Sequence, residues 1–177
     1  MIFHLRCFTK CLGPTESFPV ALSIFMLLAA SGCVTVNLPK GSEGRSPSVE
    51  IQEPSKAFES IKSENADRAW KHSQSGATIS FLSDCNDNPD SLQNFESDSL
   101  NALKSAKVLK SESTRINNRE GQRIQILGAL EGIPMKMELL AFRKNGCDYI
   151  LSFVARQTAF DLQLTEFDKF IAGFQAP

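Results

Sequence analysis

In this 177-residue chain the residues whose types suit chemistry are few, and their spacing limits what they could do. The five cysteines are Cys7, Cys11, Cys33, Cys85 and Cys147, and the histidines are His4 and His72. No Cys-x-x-Cys is present, which argues against a thioredoxin-type redox pair. Asp84, Asp87 and Asp90 recur at three-residue spacing and invite a calcium reading. An EF-hand loop needs acids at alternate positions, a central glycine and a late glutamate, and that pattern is missing. Helix capping and solvation explain these aspartates more simply. A metal site needs several convergent ligands, so His72 among scattered carboxylates reads as a surface or hairpin residue. No Ser-His-Asp order, phosphate-cradling glycine loop or nucleophile elbow stands in the sequence. The expectation is a non-enzyme with no catalytic residue, no metal and no cofactor.

One cysteine has a context of its own. Phe18 to Ala30 is an apolar run of 13 residues, short of the roughly 18 or more that span a bilayer. It follows a segment carrying Arg6 and Lys10 and leads into Leu27-Leu28-Ala29-Ala30-Ser31-Gly32-Cys33. This stretch resembles a bacterial lipoprotein lipobox, in which the signal peptide is cut before the cysteine and the cysteine is acylated. The resemblance departs from the usual pattern at Ala30, where leucine commonly stands. Ordinary cleavage after Ala30-Ser31-Gly32 and a signal anchor are the alternatives. The lipobox reading implies lipidation of Cys33 and a signal peptide over residues 1–32. Cleavage discards His4, Cys7 and Cys11, and lipidation leaves Cys85 and Cys147 as an even pair in an oxidising compartment. A disulfide between them would close a loop of about 60 residues, worth on the order of 4 kcal/mol in the chain-entropy model. The alternative is two buried free thiols. In lipoproteins of Gram-negative bacteria, Asp after the cysteine commonly holds the protein in the inner membrane. Val34 follows here, which implies the outer membrane, facing the periplasm, with the inner membrane or a Gram-positive cell surface as the alternatives.

The chain from Cys33 onward has 145 residues, enough for one domain with a proper core. It keeps 17 of 19 basic and 19 of 20 acidic residues. With no basic excess to neutralise phosphates, nucleic acid is an unexpected partner. Residues 33–56 carry prolines, glycines and serines without periodicity and read as a flexible linker. Residues 57–177 read as a single globular domain with its core at about 68–175.

Within that domain, Ala57 to Ala69 is sparsely apolar and reads as a short helix at most. Arg68–His72 and Ala77–Ser83, around Ser73-Gln74-Ser75-Gly76, read as a hairpin with Ile79 and Phe81 on one face. From Ser91 to Ala106, Leu92, Phe95, Ala102, Leu103 and Ala106 fall at helical spacing, with Asp90 or Ser91 as cap. Lys107–Arg115, Gln122–Leu130, Met135–Arg143 and Cys147–Arg156 alternate as strands. Asn117–Gly121, Glu131–Pro134 and Lys144-Asn145-Gly146 supply the turns. Thr165 and Asp168 match a capping box at the start of a last helix. Phe167, Phe170, Ile171 and Phe174 line one face of it, extendable upstream through Phe160 and Leu164.

The fold class expected is α+β, with a central antiparallel sheet of about six strands covered by helices. Hairpin, helix, long meander and terminal helix over Trp70 to Phe174 resemble the Mog1/PsbP-like fold, an α/β/α sandwich. The resemblance implies a binding or assembly module and transfers no active-site residue. The function expected is that of a membrane-anchored envelope lipoprotein, held by lipid on Cys33, with an envelope protein as partner. The alternative is a carrier or sensor of a small hydrophobic ligand, lined by Trp70, Phe81, Phe142, Phe153, Phe167, Phe170 and Phe174.

Overall fold

The computed structural model describes residues 44–177 except Pro47, Asp87, Pro89 and Asp90. The chain runs β1 (Phe58–Ile61), β2 (Arg68–His72), β3 (Thr78–Cys85), α1 (Phe95–Leu100) and β4 (Lys104–Ile116). β5 (Arg119–Leu130), β6 (Ile133–Lys144), β7 (Cys147–Arg156) and α2 (Gln157–Ala172) follow. Seven antiparallel strands lie in the order β1-β2-β3-β7-β6-β5-β4, so β7, the last in sequence, sits at the centre.

Alternation along the central strands creates two cores. On β7, Tyr149, Leu151, Phe153 and Ala155 face α2, while Val154 packs on the opposite side. The α2 side gathers the aromatic residues, including Trp70, Phe142, Phe160, Phe167, Phe170 and Phe174. The α1 side is aliphatic, built from Ile124, Ile126, Met135, Met137 and Leu139 with Phe95 and Leu103. The three hairpins of the meander use two-residue turns with both residues at positive φ, as type I′ turns demand. These are Asn117-Asn118 (51°, 62°), Glu131-Gly132 (50°, 83°) and Asn145-Gly146 (52°, 79°). Asparagine and glycine tolerate that conformation, and its twist matches that of the flanking strands.

Four expectations need correction. Ala57–Ala69 holds no helix: Phe58–Ile61 is an edge strand, with only Phe58 buried, because its sparse apolar residues cannot form a helical stripe. The Ser91–Ala106 helix shrinks to Phe95–Leu100. Ser99 turns its hydroxyl back onto the Phe95 carbonyl, 2.6 Å away, a local bond that competes with helix propagation. Leu103 reaches the core from the turn that follows, and Lys104 already begins β4. The last helix starts at Gln157, straight after β7, so Thr165 and Asp168 lie inside it and form no capping box. Phe160 and Leu164 carry the apolar face back without a break, and Asp168 instead accepts a bond from Arg123.

The fourth correction concerns the spacer expected to end at Lys56. Part of it is built into the fold. Val49 and Ile51 pack on the aromatic core, and Glu50 pairs with Gln175 through two backbone bonds of 3.0 and 2.8 Å. Gln52 donates to the Gly173 carbonyl at 3.2 Å. Upstream, the Cys85 N–H donates to the Gly44 carbonyl at 2.6 Å, and Ser46 N–H donates to Ser83 Oγ at 2.9 Å. Tyr149 Oη donates to Ser46 Oγ at 3.0 Å, and Arg45 ion-pairs with Asp67 at 2.9 Å. Alternating Val49 and Ile51 present one apolar face, which makes this segment a strap rather than a linker.

Candidate functional site

The polar residues converge at one end of the sheet. There the β6–β7 hairpin turns at Asn145-Gly146, and β3 ends beside it. Cys85 and Cys147 stand opposite each other in the β3–β7 ladder and are joined by a disulfide, 62 residues apart in sequence. One register step inward, Arg143 faces Asp148 across the same hairpin. Asp148 is 4 % exposed, and Arg143 Nη1 sits 2.8 Å from its Oδ1.

Around that pair the guanidinium finds several more acceptors. Nη1 donates to Ser91 Oγ at 2.9 Å, and Nη2 donates to the Asn86 carbonyl at 2.6 Å. Asp148 also accepts from the Ser91 hydroxyl. Asn86 Nδ2 donates to Asp84 Oδ2 at 3.1 Å and lies 3.4 Å from Asp148 Oδ2. A buried charge is tolerated where it is paired and hydrogen-bonded, and these contacts meet that condition. The arrangement pins the connection leaving β3 to the sheet directly after the disulfide. Its chemistry is that of a clamp, because both charges are spent on each other and on that connection.

A second network lies on the α2 side. Arg123 pairs with Glu138 through Nε and with Asp168 through Nη2, the latter at 2.6 Å. Gln125 Nε2 donates to the other Glu138 oxygen at 2.8 Å. Burial works against the Arg123 charge, yet the carboxylates of Asp168 and Glu138 hold its pKa above the ordinary arginine value. This network ties α2 to β5 and β6.

The residues singled out from the sequence are not brought together. Cys33 lies outside the described residues, as do Asp87 and Asp90. Asp84 sits at the clamp through Asn86. His72 is at the far end of β2, where Nδ1 accepts the backbone N–H groups of Gln74 and Ser75 at 3.3 and 3.1 Å. Its ring meets Phe58 edge-on. His72 therefore shapes the β2–β3 turn. Replacing it with alanine should cost about 1 kcal/mol, the worth of a typical hydrogen bond, measurable by urea unfolding. Among the described residues, no group of three or more His, Cys, Asp or Glu side chains could hold a metal ion.

The seven aromatic residues considered as a pocket lining are 0–4 % exposed and fill the space between sheet and helix with one another. Trp70 meets Phe170 edge-on at 5.5 Å, and Phe153 stacks on Phe167 at 5.8 Å. Phe174 touches Phe81, Phe142, Tyr149 and Phe170. They are core. A shallow groove of ≈ 550 Å³ runs between Ser60 and Glu64, bordered by Asp67 and Arg68. Among the described residues, no helix is long and apolar enough to cross a membrane.

The disulfide joins neighbouring strands but closes a long loop, so its loss frees much unfolded-chain entropy. The double replacement Cys85→Ala/Cys147→Ala should cost about 2–4 kcal/mol, read from guanidinium unfolding of both forms under oxidising conditions. A cost near zero would mean that the clamp alone fixes this end.

No family model matches the chain, and no curated protein does. Solved structures do. The chain is similar to LpqN, described as involved in cell envelope biogenesis of Mycobacterium tuberculosis, with a TM-score of 0.60 and 12% identity. That match covers 77% of this chain and 87% of LpqN. It is also similar to the cyanobacterial PsbP (CyanoP) of Synechocystis, with a TM-score of 0.50, 9% identity, and 77% and 96% of the two chains covered. At such identities the likeness is one of fold. The architecture is consistent with the Mog1/PsbP-like fold.

Proposed function

We propose that the chain is an envelope lipoprotein, anchored through acylated Cys33, whose domain is a non-enzymatic binding or assembly module for another envelope protein. The observation that carries the reading is the Cys85–Cys147 disulfide, a bond that persists in oxidising compartments outside the cytosol. It agrees with the export signal expected from the stretch ending at Cys33. The likeness in fold to LpqN, itself described as involved in cell envelope biogenesis, adds support.

Within this reading the outer surface does the work. The aromatic interior is occupied ring against ring, and the charges of Arg143, Asp148, Arg123 and Glu138 are engaged with one another or with neighbouring side chains. That arrangement favours a protein partner over a carried hydrophobic molecule. Val34 after the lipidated cysteine favours the outer membrane, with the domain in the periplasm.

The test is in-cell crosslinking of the full-length protein, followed by identification of the captured chains and by membrane fractionation. A reproducible envelope partner and recovery with outer membranes are the expected results. Reproducible absence of a specific partner, together with a small molecule retained in native mass measurement, would favour a carrier instead.

A further inference from the structure

The strap limits the ways in which an anchored domain can be held. A spacer running from Cys33 to Phe58 would be 25 residues long and could extend to about 90 Å. Such a tether would leave every face of the domain free to meet the bilayer. The strap removes more than half of that length. Among the described residues the chain is already held to the sheet at Gly44, whose carbonyl receives the Cys85 N–H. Arg45 is fixed to Asp67, and Ser46 to Ser83 and Tyr149. Only 11 residue steps separate Cys33 from Gly44, a reach of about 40 Å at full extension.

The exit point also has a definite place. β3 runs toward Gly44 and ends at Cys85, and β7 begins at Cys147 opposite it. The same end of the sheet carries Ile61 to Arg68, the Asn117-Asn118 turn, the Asn145-Gly146 turn and the strand partner of Glu50, Gln175. The other end carries the Ser73–Gly76 turn, the Glu131-Gly132 turn and the start of α2. β7 alone, at 10 residues, separates the two ends by about 33 Å. Bringing the far end down to the bilayer would require the tether to run back along the whole domain, using most of its full extension. Chain entropy opposes that.

The geometry points to an end-on presentation: the end bearing the Cys85–Cys147 bond faces the bilayer, and the end bearing the Ser73–Gly76 and Glu131-Gly132 turns is held away from it. This rests on the lipid anchor proposed above. The far end lies in solvent. Glu131 to Pro134 is exposed throughout, Ile133 is 41 % exposed, and Ser73 and Gln74 are exposed in the β2–β3 turn at the same end. The near end instead carries the clamp, where Arg143 pairs with the buried Asp148.

The experiment uses the acylated full-length protein purified from its membrane and reconstituted in phosphatidylethanolamine/phosphatidylglycerol vesicles. A donor fluorophore is placed on Lys62→Cys or Arg119→Cys at the near end, or on Gln74→Cys or Ile133→Cys at the far end. All four positions are solvent-exposed, and the native pair is held in its disulfide. An acceptor fluorophore sits on the lipid headgroups. Energy transfer at least twofold greater from Lys62→Cys and Arg119→Cys than from Gln74→Cys and Ile133→Cys is expected. Equal or reversed transfer from protein that floats with the vesicles would overturn the orientation while leaving the anchor standing. Protein that does not float would overturn the anchor, and the orientation with it.

Discussion

Replacing Arg143 with alanine should destabilise the domain by about 3–5 kcal/mol, the largest loss expected from any single polar substitution. The reason is the charge left behind. Asp148 is 4 % exposed, and Arg143 is its cationic partner in the structure. Without the guanidinium, the carboxylate keeps, among the described residues, the Ser91 hydroxyl and the longer Asn86 contact. The Asn86 carbonyl also loses its donor. Double replacement, Arg143→Met with Asp148→Leu, should cost far less, because no unpaired charge then remains in the interior. Chemical unfolding with the disulfide intact in every variant separates the two cases. Similar losses for the single and double variants would mean that packing, rather than charge burial, holds the hairpin.

Phe174→Ala should cost a comparable 3–5 kcal/mol, for a reason of a different kind. Phe174 is fully buried just beyond α2, with its ring against Phe81, Phe142, Tyr149 and Phe170. Its carbonyl accepts from Asn117 Nδ2 at 2.9 Å, tying the chain end to the β4–β5 turn. Truncation opens a cavity where β3, β6, β7 and α2 meet, and surrounding rings relax only partly into such a space. A fall in melting temperature on the order of 10 °C or more should follow. Leu162→Ala is the control. Leu162 is 84 % exposed on α2, so its loss should stay within about 0.5 kcal/mol.

The strands of the meander were legible because their alternation is strong and their turns carry asparagine or glycine at positive φ. Tyr149, Leu151 and Phe153 against Ile150, Ser152 and Val154 leave little room for another reading. The elements that escaped the sequence are those set by distant partners. β1 exists because Phe58 to Ile61 pairs with β2, and four mostly polar residues carry no periodicity of their own. The strap exists because Glu50 and Gln52 meet the chain after α2, a contact across more than 120 residues. α2 begins at Gln157 because β7 delivers the chain directly into it, while Thr165 and Asp168 imitated a start signal inside the helix.

The clamp was within reach of sequence reasoning and was missed. A two-residue turn at Asn145-Gly146 sets Lys144 opposite Cys147 and Arg143 opposite Asp148. Opposite charges at that register on a hairpin read as a cross-strand pair. What the sequence could not supply was their burial, which depends on the connection from Asn86 to Ser91 folding back over them. Cys85 and Cys147 were singled out from counting thiols. Their position face to face depends on β7 inserting between β3 and β6, which no local pattern announces.

The anchor is tested most directly by the intact mass of the protein purified from its own membrane, measured with and without reduction before alkylation. A lipid-anchored domain should give a chain beginning at Cys33 with added acyl mass, and two alkylated thiols only after reduction. An unacylated chain from Cys33, or an uncut chain, would contradict the anchor.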